Sequence, residues 1–101
     1  MPKVTIDHST NLPAAEAFSK IKTFFENDAD IRRFDPNIKC DFQEGTMSGK
    51  ATGSQFKADI SVKNQGPGSS VQVVIDLPLL LAPFKGKVQE TIQKKLSKYL
   101  A

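Results

Sequence analysis

The stretch from residue 56 to 77, FKADISVKNQGPGSSVQVVIDL, decides the fold. Phe56, Ala58, Ile60 and Val62 alternate with Lys57, Asp59, Ser61 and Lys63; residues 64–69 (NQGPGS) form the clearest loop in the chain; Val71, Val73, Ile75 and Leu77 then resume the alternation. A period of two places every second side chain on one face of a strand. Clustered Asn, Gly, Pro and Ser between two such runs mark a turn, because these residues accept the backbone angles a turn needs. The stretch therefore reads as two neighbouring strands with one shared apolar face.

The same pattern extends upstream. Met47, Gly49, Ala51 and Gly53 alternate with Thr46, Ser48, Lys50 and Thr52, and beyond the turn signal Glu44-Gly45, Ile38, Cys40 and Phe42 alternate with Lys39, Asp41 and Gln43. Near the start, Val4 and Ile6 alternate with Lys3, Thr5 and Asp7. The outward positions mix Lys, Asp, Ser and Thr, as expected for one antiparallel sheet with one face in water. From Pro13 to Glu26 the period changes: Ala14, Ala17, Phe18, Ile21, Phe24 and Phe25 fall within an arc of about 120° on a helical wheel, and Pro13 suits a first turn. Residues 27–37 read as a polar connection with one short helical turn, ended by Pro36. From Phe84 onward, Phe84, Val88, Ile92, Leu96 and Tyr99 recur at steps of three or four, and this second stripe is expected to be core. The predicted class is α+β: one domain over residues 1–101, a single antiparallel sheet of about five strands in the order β-α-β-β-β-β-α, and both helices on one face.

Composition narrows the function classes. The 101 residues are 39% hydrophobic and 25% charged, an ordinary globular balance, and no apolar run is long enough to cross a bilayer. A single cysteine and no apolar leader stretch point to a reducing cytoplasm. The net charge of +3 is unevenly placed. Lys85, Lys87, Lys94, Lys95 and Lys98 face only Glu90 in the last 22 residues, so the basicity belongs to that segment.

That segment, LPLLLAPFKGKVQETIQKKLSKYLA, carries the functional signal. Lys87, Lys94 and Lys98 fall within about 40° on the wheel and form one line on the outer surface. They form either a solvated helix face, with late lysines favouring the negative helix end, or a contact line for an anionic or lipid surface. Leu79, Leu80 and Leu81, held between Pro78 and Pro83, either turn inward or remain exposed as a contact site. Leucines beside Lys85 and Lys87 have the composition of an interfacial element, in which apolar groups enter while charges stay outside. The candidate contact residues are thus Leu79, Leu80, Leu81, Phe84, Lys85, Lys87, Lys94 and Lys98. A second candidate is a cavity lined by Met47, Gly49, Ala51 and Ala58, where small inward residues leave volume to be filled by a close helix or by a ligand.

Catalytic chemistry has little to stand on. His8 is the sole histidine and reads as a strand-end side chain, Cys40 as a buried thiol between Ile38 and Phe42, and neither a nucleophilic triad nor a metal-ligand set can be assembled. GPGSS at residues 66–70 lacks the lysine and spacing of a phosphate-binding loop. No enzyme activity, cofactor or metal is expected.

The PKVTI opening, the strand-rich middle with spaced glycines, and the FKGKVQETI helix entry resemble, in that order, the small bacterial polyhydroxyalkanoic acid system family. The resemblance spans nearly the whole chain and implies an accessory role at polyester granules or lipid, without catalytic residues. The layout also resembles a shortened helix-grip or START-like fold, in which a curved sheet wraps a C-terminal helix. The leading expectation is a noncatalytic protein that binds a hydrophobic surface or apolar ligand. Double-stranded RNA binding is a second reading, opposed by the mixed signs on the sheet face. A protein partner or homodimer is the third.

Overall fold

The computed structural model describes residues 3–54 and 57–100. Strand β1 (Lys3–Thr10) is followed by helix α1 (Ala14–Asn27), the six-residue helix α2 (Ala29–Phe34) and strands β2 (Lys39–Gln43), β3 (Ser48–Thr52), β4 (Lys57–Gln65) and β5 (Gly68–Asp76). A 3-10 turn (Leu79–Phe84) then leads into helix α3 (Lys85–Tyr99). The strands form one antiparallel sheet in the order β1-β5-β4-β3-β2, so the first strand pairs with the last. This is the predicted α+β arrangement, with α2 as the short turn in the polar connection. Phe56, expected on the inward face, lies outside the described residues.

Register carries the apolar face across the whole sheet. Ile6 pairs with Val73, Val73 with Ile60, Ile60 with Gly49, and Gly49 with Phe42. The neighbouring inward row runs Val4, Ile75, Ala58, Ala51 and Cys40. A one-residue slip at any pair would turn its apolar set to water, which is what fixes the alignment. The tightest turn, Gly66-Pro67 between the paired Gln65 and Gly68, needs positive φ at its first central residue, and Gly66 supplies it with φ 60°.

At Gly49 on the small-residue strand the space is taken by a neighbouring side chain. The Phe42 ring lies over Gly49, where a Cβ would overlap it, and packs edge-on against Phe18 with centroids 5.8 Å apart. Large side chains from a neighbouring strand and a helix thus occupy the space that glycine vacates. Ala51 and Ala58 are paired and buried. Met47 is not a strand residue: it ends the turn after Gln43 with φ 48° and is only half-buried.

Helix α1 buries its whole predicted stripe, from Ala14 to Phe25. Its end is fixed by Asp28, whose carboxylate accepts the N–H groups of Asp30 (2.9 Å) and Ile31 (3.1 Å) and so caps α2. The same carboxylate receives Lys95 Nζ of α3 at 3.0 Å and the Tyr99 hydroxyl at 3.5 Å. Lys95 also reaches Asp30 at 2.7 Å. Further contacts tie down this half of α3: Thr10 Oγ1 donates to the Leu100 carbonyl at 2.7 Å, Tyr99 packs tilted against Phe24 with ring centroids 5.0 Å apart, and Ile92, Leu96 and Leu100 are buried.

The first half of α3 departs from expectation. Its stripe is predicted to be core throughout, yet Phe84 is 54% exposed and Val88 only half-buried. Pro78 precedes and Pro83 lies within a 3-10 turn in which no residue is fully buried, and this turn sets the helix down on the sheet only from its middle onward.

Replacing Lys95 with Met leaves the buried Asp28 carboxylate with fewer donors, and an unsatisfied buried acceptor costs about 1–3 kcal/mol. Lys94→Met, which removes an exposed pair with Glu90 (2.9 Å), is expected to cost under about 0.5 kcal/mol. Urea midpoints of the two variants check the difference. Lys95 is held above the ordinary lysine range by Asp30 and then Asp28, and Asp30 is held below the carboxylate range by Lys95. The raised lysine contributes below its unfolded value and the depressed carboxylate above its own, so the clasp acts between about pH 4 and pH 10. Below about pH 4 the wild-type advantage over Lys95→Met should shrink.

Candidate functional site

Where the head of α3 stands off the sheet, an open apolar cleft of about 430 Å³ remains. Ile75 and Leu77, at the end of β5, form its floor. Phe25 and Ile31 from α1 and α2 make one wall, and Leu81, Phe84, Val88 and Ile92 make the other. Lys95 and Asp30, the outer part of the clasp, close one end, while Lys87 and Thr91 stand at the border on α3. The volume lies in the range of small-molecule sites, which are concave, mostly apolar and furnished with few polar groups.

Beside the cleft, the 3-10 turn projects a second apolar feature. Leu79 is 75% and Leu80 85% exposed, and Phe84 joins them, with Lys85 next in the chain. Of the three leucines only Leu81 turns inward, to the cleft wall. The structure thus separates the predicted contact residues. Leu81, Phe84 and Lys87 meet at the cleft, and Leu79, Leu80 and Lys85 form the tip beside it. Lys94 is paired with Glu90, and Lys98 lies in the last turn of α3, where its charge favours the helix end. Met47, Gly49, Ala51 and Ala58 are absent from the cleft lining.

Much of the cleft was not among the candidates. Val88 and Ile92 belong to the predicted stripe, but Phe25, Ile31, Ile75 and Leu77 read simply as core. The available signal was the proline pair at 78 and 83, which marks a rigid turn between the last strand and the helix.

Reactive groups lie elsewhere. Cys40 is half-buried on β2, its Sγ 3.6 Å from the Phe25 carbonyl oxygen, and burial raises its thiol above the ordinary range. His8 touches Gln93 at 3.4 Å and faces a separate polar hollow near Ser97 and Leu100; burial lowers its pKa, which favours the neutral ring. Among the described residues no three His, Cys, Asp or Glu side chains converge as a metal site, and no helix is long and apolar enough to cross a membrane. The outer sheet face carries the row Thr5, Val74, Asp59, Lys50 and Asp41, alternating in sign where it is charged, beside the row Lys3, Asp76, Lys57, Thr52 and Lys39, so the face as a whole is mixed in sign.

The sequence matches, over residues 4–100, the family described as "Putative polyhydroxyalkanoic acid system protein". No curated protein matches it. Among solved structures, TTHA0849 from Thermus thermophilus is similar with a TM-score of 0.63 at 10% identity, over 98% of this chain and 94% of that one. Ara h 8.0201 is similar with a TM-score of 0.58 at 15% identity, over 98% of this chain and 97% of that one. At such identities the likeness is one of fold: the helix-grip arrangement, in which a curved antiparallel sheet holds a C-terminal helix.

A thiol raised by burial holds little thiolate at neutral pH, and the thiolate is the reactive form. Alkylation of Cys40 by iodoacetamide at pH 7.5 should therefore be at least about tenfold slower in the folded protein than in 8 M urea.

Proposed function

Because the chain belongs to the polyhydroxyalkanoic acid system protein family, we propose that it is a noncatalytic accessory protein that seats on a hydrophobic surface, with the polyester granule as the first candidate. The observation that carries this reading is the exposure of Leu79, Leu80 and Phe84 on one turn, of whose leucines only Leu81 packs inward. Soluble proteins rarely leave neighbouring large apolar side chains in water without a use for them.

The physical sequence is short. Pro78 and Pro83 stiffen the turn, so the leucines enter an apolar phase without first being ordered. Each leucine fully transferred from water contributes about 1.5–3 kcal/mol. Lys85 and Lys87 stay at the boundary, each adding about 1 kcal/mol where the surface is anionic. The sum suits reversible attachment, of the order a single acyl anchor gives, rather than insertion.

Flotation tests this reading. The wild type is expected to rise with polyester particles and with vesicles containing anionic lipid, while the double variant Leu79→Asp and Leu80→Asp should lose at least about tenfold in bound fraction. Both side chains are exposed, so the thermal midpoint should hardly move. A wild type that stays at the bottom of the gradient, or a double variant that rises equally well, overturns the proposal.

A further inference from the structure

The cleft carries an inference independent of surface seating. We propose that it is a binding site for an aliphatic carboxylate, with the chain against Leu81, Phe84 and Val88 and the carboxylate at Lys87. Three observations lead there. The walls are built from Phe, Leu, Ile and Val side chains, so an apolar chain displaces water that has few partners to lose. The volume of about 430 Å³ holds a small molecule and not a folded element. Finally, the charges at the border are unequal in their commitments.

Lys95 is already shared between Asp28 and Asp30, at 3.0 and 2.7 Å, and Asp30 is further bound by Arg33 at 2.9 Å. Lys87 has no ion pair among the described residues. Glu90, three positions on, feels the charge of Lys87 but gives its carboxylate to Lys94 at 2.9 Å. The first turn of α3 holds no acidic residue. The uncompensated charge at the mouth is therefore positive, and the complementary ligand end is an anion. Thr91, one helical turn beyond Lys87 and also on the lining, offers a hydroxyl to the same group. A neutral chain keeps the wall contacts but gains nothing from Lys87, and a cationic one is repelled.

Calorimetric and NMR titration with octanoate, decanoate and 1-decanol, each below its aggregation threshold, tests the proposal. Affinity for the carboxylates should rise about fourfold per added methylene, the value of transferring that group from water. Lys87→Gln should weaken decanoate about three- to fivefold, as loss of an exposed ion pair does, and leave 1-decanol unchanged. Amide shifts should be confined to residues near 25–31, 75–81 and 84–95. Val88→Phe, which fills the cleft, should abolish both ligands; if that variant does not fold, the shift map and the Lys87→Gln comparison decide alone. The variant Leu79→Asp and Leu80→Asp should still bind decanoate after losing flotation, which separates this site from the tip. Absence of binding, affinity independent of chain length, equal effects of Lys87→Gln on acid and alcohol, or shifts centred elsewhere would each overturn the assignment.

Discussion

Asp28 is a buried carboxylate at the joint of three helices. It follows the last turn of α1, caps α2 through two backbone N–H groups, and receives Lys95 from α3. A buried carboxylate is costly unless its lone pairs are occupied. That need fixes where α3 can lie. With Lys95, Leu96, Tyr99 and Leu100 committed to the joint and to β1, the helix is anchored by its second half, and its first half follows wherever the 3-10 turn delivers it.

The cleft and the tip are two results of that one-ended anchoring. The cleft lies between the end of β5 and the first half of α3, with Ile75 and Leu77 among its lining and Phe84 and Val88 only partly covered. Leu79 and Leu80 lie exposed on a turn entered by Pro78, from which only Leu81 among the leucines reaches the core. Elsewhere the sheet is covered closely: α1 buries every residue of its stripe, and Phe42 fills the hollow over Gly49. The molecule therefore gathers its unsatisfied apolar surface at one end, where the surplus of lysine also lies. A cleft for one chain and a tip for a surface need not exclude each other, since Leu79 and Leu80 belong to the tip alone and Leu81 to the cleft alone, with only Phe84 at the border of both.

The sheet was legible because alternation is local: Lys57 to Leu77 state both strands and the turn between them, and register then follows from which face must be dry. Helix α1 was legible for the same reason. The head of α3 was not, because the stripe from Phe84 to Leu96 keeps a perfect helical period whether or not the helix reaches the sheet. Docking depends on the angle imposed by the turn before it and on Lys95 meeting Asp28, 67 positions away. Gly49 leaves a similar choice open in the sequence: a small residue implies volume to be filled, and only the cross-strand pair with Phe42 shows what fills it. Met47 continued an alternating pattern, but reversal of the chain after Gln43 consumed it.

The most direct test of one-ended anchoring is methyl NMR with a soluble paramagnetic chelate, which broadens signals according to their exposure. The methyls of Leu79 and Leu80 should broaden strongly and those of Val88 partly, while Leu77, Leu96 and Leu100 remain sharp. On addition of polyester particles or anionic vesicles, Leu79 and Leu80 should become protected first. Leucines at 79 and 80 as sheltered as Leu77 in the free protein would contradict the arrangement from which both the tip and the cleft derive.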